Sequence, residues 1–165
     1  MAKRQVDFHW VPDKCAIGRF CLGKPIKYYS NLGLQFDTDC GYYWFPDYEY
    51  LYVYTDTYTN EETEKTKLFA NKYIRDDDGR IDMISSDKYF YYDKINLIGK
   101  NTLYILSFMK SLFNLKPDVD PNCDDIVDFE KSDGTYQTCK YVWFFPLGIN
   151  FRFYNDRVED VTLSR

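Results

Sequence analysis

Between Tyr48 and Tyr58 the chain reads Tyr-Glu-Tyr-Leu-Tyr-Val-Tyr-Thr-Asp-Thr-Tyr, so Tyr48, Tyr50, Tyr52 and Tyr54 occupy every second position. Successive side chains of a β-strand point to opposite faces, and a period of two therefore places all four rings on one face of one strand. Leu51 and Val53 then share the other face with Glu49 and Thr55, and this aliphatic side is the natural core side. The tyrosine face is amphipathic: its rings gain from burial while its hydroxyls need hydrogen-bond partners. Such a ladder suits docking against a second surface, whether protein, sugar or base.

Composition supports a strand-rich reading. Aromatic residues make up 20% of the chain and alanine occurs only at Ala2, Ala16 and Ala70, a balance that favours strands over helices. The same bias is what AT-rich codons write, which points to a low-GC bacterium, a phage or large virus, or a protist. At 165 residues the chain can bury one core without metal or disulfide staples, and no repeat, linker or composition break divides it. A single domain over 1–165 is expected.

The formal net charge is −5, with acidic residues spread along the chain. Duplex nucleic-acid binding takes most of its affinity from basic patches that neutralise phosphates. Lys3-Arg4 is too short for one, and Lys65 and Lys67 are matched by Glu61, Glu62 and Glu64, so no duplex partner is expected. Residues 1–7 begin with positive charge but no apolar stretch follows, and no apolar run reaches the ~18 residues of a bilayer span. Neither a signal peptide nor a membrane partner is expected. Cys15, Cys21, Cys40, Cys123 and Cys139 are odd in number and unevenly spaced, the pattern of unlinked, mostly buried thiols in a reducing compartment. An intracellular or virion location follows.

Residues 5–10 alternate, with Val6, Phe8 and Trp10 on one side, and read as a strand ended by Pro12-Asp13. Gly18, Gly23, Gly33 and Pro25 break 15–35 into short extended pieces. A turn at 37–41 leads through Tyr42-Tyr43-Trp44-Phe45 into the ladder strand. Thr59 with Glu62 forms a capping box, and Glu61 with Lys65 an i, i+4 pair, predicting a charged helix near 60–75 closed by Asp76-Asp77-Asp78-Gly79. Strands follow at 80–85 and 89–92. Over 101–116, Asn101 caps and Pro117 stops a helix whose Ile105, Phe108, Met109, Leu112 and Leu115 recur at helical spacing. Leu103, Tyr104, Leu106 and Phe113 widen that apolar face almost all round, so the helix is expected to be buried on most sides. Ser132-Asp133-Gly134 marks a hairpin between strands at 125–130 and 135–145. Residues 149–153 alternate again, Asn155-Asp156 turns, and 158–163 returns as an edge strand. The expected fold class is α+β: mainly antiparallel β-sheet, sandwich or barrel-like, with about two α-helices.

Little in the chain points to catalysis. His9 is the single histidine, which leaves neither a multi-histidine relay nor a His-rich zinc site, and the cysteines form no Cys-x-x-Cys pairs. Asp76, Asp78, Gly79 and Ile81 match inner positions of a calcium-binding loop, but Ile74 and Ser85 stand where its first carboxylate and last glutamate belong. Asp118, Asp120, Asn122 and Asp124 repeat the oxygen spacing, with Cys123 in place of the glycine and Phe129 in place of the glutamate, and read as a turn-rich acidic loop. No Gly-rich phosphate loop, nucleophile elbow or metalloprotease motif occurs. No metal, cofactor or catalytic residue is therefore assigned. The expectation is a non-enzymatic structural or adaptor subunit of a larger assembly, such as a virus or phage particle, that meets protein partners in a homo- or hetero-oligomer through Tyr48, Tyr50, Tyr52, Tyr54, Trp44 and Trp143. The alternative is a carbohydrate- or nucleotide-binding module using the same aromatic face.

Overall fold

The structure, a computed structural model, describes residues 7–37, 39–56, 79–118, 126–130 and 133–164. The charged helix expected near 60–75, Tyr58, Cys123 and most of both acidic loops lie outside these residues. Within them the chain is α+β and mostly antiparallel sheet, as its alternating segments require. Strands β1 (Trp10–Val11), β2 (Ala16–Ile17) and β3 (Phe20–Cys21) form a small sheet. Strands β4 (Gln35–Asp37), β5 (Tyr42–Trp44), β6 (Leu51–Thr55) and β7 (Ile81–Ser86) form an antiparallel meander. A hairpin, β8 (Tyr91–Tyr92) and β9 (Ile95–Asn96), leads to helix α1 (Thr102–Phe113). A second meander follows as β10 (Ile126–Glu130), β11 (Tyr136–Phe144), β12 (Ile149–Tyr154) and β13 (Arg157–Ser164). The two meanders join side by side through β7 and β13, giving one eight-stranded sheet in the order β10-β11-β12-β13-β7-β6-β5-β4.

One face of this sheet is the core. Leu51, Val53, Ile84, Phe144, Ile149, Phe151, Val161 and Leu163 all point there and are fully buried. The rings of Phe20, Tyr29 and Phe45 cover one end, with centroids 4.8–4.9 Å apart about Phe20. Trp10 covers the other, between Phe90 at 5.5 Å and Phe113 of α1 at 5.3 Å. These residues belong to one connected apolar cluster. The β12–β13 turn is the two-residue type that matches strand twist, with Asn155 and Asp156 both at positive φ, 48° and 56°. Gly148, at φ 58°, starts the return from β11 to β12 against the end of β13, where a Cβ would collide with the Ser164 carbonyl oxygen. Only glycine fits.

Helix α1 begins where the sequence places it. The Asn101 side chain accepts the Tyr104 N–H at 2.8 Å. A second cap comes from far along the chain: Asp156 Oδ1 accepts the Thr102 N–H at 3.1 Å and the Thr102 hydroxyl at 2.5 Å. Those bonds hold the Asp156 carboxyl below its ordinary range. The helix ends in Asn114 at φ 53°, before Pro117 is reached.

Several expectations are corrected. Among the described residues the opening strand covers Trp10–Val11, with Phe8 and Trp10 buried and His9 exposed, while positions 5 and 6 of the expected strand lie outside them. The segment Ile26–Leu32 is a 3-10 helix, started by Pro25, where extended chain was expected. The returning strand, β13, is not an edge strand, because β12 binds one side of it and β7 the other. Helix α1 is buried on one face only: Ile105, Phe108 and Met109 are inside, while Leu103 and Leu112 are 74% and 51% exposed. A helix lying on a single layer has only one side to bury. Of the four cysteines among the described residues only Cys139 is buried, Cys21 is half-buried, and none forms a disulfide. No helix among the described residues is long and apolar enough to cross a membrane.

The helix geometry sets unequal costs along α1. Met109→Ala should destabilise the fold by about 2–5 kcal/mol, and Leu112→Ala by under about 1 kcal/mol, because a half-exposed side chain leaves little cavity. Denaturant melts of the two variants check this, and equal losses would place Leu112 in the core.

Candidate functional site

The tyrosine ladder divides in the structure. Pro46 follows Phe45, the Tyr48 N–H donates to the Phe45 carbonyl at 2.9 Å, and the Leu51 N–H donates to the Tyr48 carbonyl at 3.2 Å. These bonds make two consecutive turns, so β6 begins at Leu51 and only Tyr52 and Tyr54 lie on it. Leu51, Val53 and Thr55 face inward as expected, and Tyr52 and Tyr54 face outward. Tyr48 swings back to the core edge, its ring 4.9 Å edge-on from Phe20 and 6.2 Å from Phe45. Four rings on one strand face is thus corrected to two, because a turn residue gives its N–H to its own turn and cannot continue the ladder.

Tyr50 is the strained member. Its φ is 72°, the left-handed region where a bulky side chain is an outlier. Glycine or asparagine would satisfy that turn more easily, so the phenol is held there at a conformational cost of about 1–3 kcal/mol. The Lys88 ammonium lies 4.5 Å from the Tyr50 ring centroid and 5.5 Å from that of Tyr89.

Around this turn the chain forms a cleft of about 360 Å³. Trp44 and Tyr42 of β5, Tyr52 of β6, and Tyr48 and Tyr50 of the turn supply its aromatic surface, and Asp37 and Glu49 its carboxylates. Tyr42 packs edge-on between Tyr52 at 4.9 Å and Tyr54 at 5.9 Å. Asp37 is fixed by its own turn, accepting the Asp39 and Cys40 N–H groups at 2.9 Å each. Burial pushes the Tyr42 phenol up to about 12, and the Asp37 carboxylate adds to it. Burial also raises the Tyr52 phenol, whose hydroxyl donates to Asp87 at 3.0 Å. Both tyrosines are therefore neutral donors at physiological pH rather than nucleophiles or bases.

The structure brings together Trp44, Tyr48, Tyr50 and Tyr52 and leaves out two expected members. Tyr54 shares the outer face and packs on Tyr42, but it does not line the cleft. Trp143 sits on β11, separated from β5 by four intervening strands, with its ring 5.8 Å from Phe145. Sequence reasoning missed Tyr42, Asp37 and Lys88. The alternation of Tyr42 and Trp44 with the buried Tyr43 and Phe45 carries the same period of two and could have found the first. His9 lies elsewhere, its ring nitrogens 2.7 Å from Asp7 Oδ1 and 2.8 Å from the Asp93 carbonyl.

Beyond the cleft the outer face carries a half-buried charge cluster. Arg152 of β12 pairs with Asp160 of β13 and lies 3.4 Å from Glu159. Burial lifts the Asp160 carboxyl to about 6 despite that pairing, with Glu159 and Asp87 contributing in the same direction.

Compared with protein-family models, characterised proteins and solved structures, the chain matches none.

Two outcomes follow. Tyr50→Asn should stay within about 1 kcal/mol of the parent stability, since asparagine tolerates the left-handed turn, while Tyr48→Ala should cost roughly 2–4 kcal/mol through its core-edge contacts. Thermal melts compare them, and a Tyr50 variant as damaged as the Tyr48 one would show the ring to be a packing element. For Asp160, a carboxyl raised in the folded state stabilises fully below its unfolded pKa and loses that contribution as pH rises through about 6. Stability should thus fall between about pH 4 and pH 7 by an amount on the order of 2–3 kcal/mol, and Asp160→Asn should flatten that slope. A pH series of melts in which both proteins change alike would remove Asp160 from the effect.

Proposed function

We propose that this protein is a non-enzymatic docking subunit of a larger assembly, binding a protein partner through the aromatic cleft between β5, β6 and the turn at 46–50. The observation that carries the reading is Tyr50. An aromatic ring kept in a left-handed turn, beside a half-exposed Trp44 and above an open cleft, is retained at the expense of stability. Tyrosine and tryptophan are the residues that anchor protein interfaces, because they offer large rigid contact area with a polar tip. Neutral phenols and the turn-fixed Asp37 carboxylate also fit binding better than they fit covalent chemistry.

A second reading has one observation in its favour. Asp37 and Glu49 beside ring faces also form the surface a sugar would meet, with carboxylates accepting hydroxyls.

Size-exclusion chromatography with light scattering on the chain isolated at native level from its own cells tests the proposal. The parent protein should run in a complex larger than its monomer, and a Trp44→Ser/Tyr50→Asn double variant should run as a folded monomer. Each lost aromatic anchor commonly costs about 2 kcal/mol or more. A parent protein that is monomeric in those cells would overturn the docking reading.

A further inference from the structure

The segment from Asp37 to Tyr50 carries the whole cleft apart from Leu51 and Tyr52. It holds four carboxylates, Asp37, Asp39, Asp47 and Glu49, and no lysine or arginine. Asp39, Asp47 and Glu49 are exposed, so this rim is solvated and its field points outward. Inside the rim stand rings whose faces carry negative charge and attract cations. The fold contains an example at the cleft's own edge: Lys88, reaching from beyond β7, rests its ammonium over Tyr50 and donates to the Tyr50 hydroxyl at 3.4 Å. A carboxylate-rimmed ring cluster with a net charge of −5 behind it repels acidic partners and draws basic ones.

We infer that the cleft receives a basic side chain, arginine foremost, from an extended segment of a basic protein partner, with its cationic head on the Trp44, Tyr42 and Tyr52 rings and between Asp37 and Glu49. This rests on the docking reading and names its partner chemistry. Arginine is favoured over lysine because a planar guanidinium stacks on a ring while its N–H groups reach carboxylates at the edge. A sugar could also use these carboxylates as hydroxyl acceptors, but a neutral ligand would gain nothing from the acidic field of the rim.

The chain has three tryptophans, Trp10, Trp44 and Trp143, and fluorotryptophan labelling gives each its own fluorine resonance, assigned by single Trp→Phe variants. The probe is the blocked peptide acetyl-Gly-Gly-Arg-Gly-Gly-amide, compared with the same peptide carrying citrulline, a neutral isostere of arginine. The arginine peptide should shift the Trp44 resonance and leave Trp143, across the sheet, unchanged. Citrulline should weaken binding about tenfold, and an Asp37→Asn/Glu49→Gln variant should erase the difference between the two peptides. Equal binding of both peptides would overturn the inference, as would shifts at Trp44 and Trp143 alike. A Trp44 shift with cellohexaose or maltohexaose and none with the arginine peptide would replace it with a glycan site. Loss of native assembly in the Trp44/Tyr50 double variant, together with an inert arginine peptide, would overturn this inference and leave the docking face standing. A monomeric parent protein would overturn both.

Discussion

The pairing of β7 with β13 is the contact on which the rest of the sheet depends. Val161, Thr162, Leu163 and Ser164 lie opposite Ser86, Ser85, Ile84 and Met83, and this ladder alone turns two four-stranded meanders into one sheet. Its partners are far apart in sequence, so the loop-closure entropy it must overcome is among the largest in the fold. The last strand therefore sits at the sheet's centre, and β7 is paired on both sides only when β13 arrives. A fold whose central ladder joins strands this far apart has high contact order and is expected to form slowly. The return for that closure is shared: Leu163 and Ile84 bring both halves of the core face together, and Thr162 donates to Ser85 at 3.2 Å on the other face.

How far the fold could be read from sequence follows from that same locality. Alternation correctly separated the inward Leu51, Val53 and Thr55 from the outward Tyr52 and Tyr54, because a strand's two faces are written into nearest neighbours. It failed at Tyr48 and Tyr50, where alternation continues in the letters after the backbone has left the strand. Pro46 was the available signal, and the left-handed turn at Tyr50 had none, since tyrosine is among the last residues such a position would select. Asn101 was legible as a cap because its partner, Tyr104, is three residues away. Asp156 was not, because its bonds to Thr102 cross from the β12–β13 turn. The status of 158–163 as a central strand was hidden for the same reason. Amphipathicity reports that a strand has a core face, never how many strands flank it.

The outer face shows what the sheet gives up in stability. Arg152 and Asp160 are drawn out of water on neighbouring strands, and the elevated Asp160 carboxyl is the signature of incomplete compensation. Asn150, paired across the ladder with Thr162 and Trp143, is 6% exposed and its Oδ1 has no partner among the described residues. An unsatisfied buried amide costs about 1–3 kcal/mol. A sheet face selected only for stability would carry threonine and valine here. The apolar core offsets these costs, with Phe144, Phe151 and Phe153 buried directly beneath.

These costs and the strain at Tyr50 have different implications, and the distinction bears on function. The charge cluster around Arg152 lies on the C-terminal meander, is half-buried, and is closed by partners of its own chain. The Tyr50 turn lies on the N-terminal meander, near the β4 edge of the sheet, where Trp44 and the carboxylates of Asp37 and Glu49 meet solvent. Strain in the first place can be relieved from within; strain in the second holds a half-buried ring at an open cleft, where the fold's own return is the Lys88 ammonium over the ring and an edge-on contact with Tyr89 at 6.1 Å. A contact that stabilised only the monomer would be reached more cheaply by asparagine or glycine at position 50. On the docking reading proposed above, the displaced phenol is there to be met by a partner, and the carboxylate rim around it favours a surface of opposite charge.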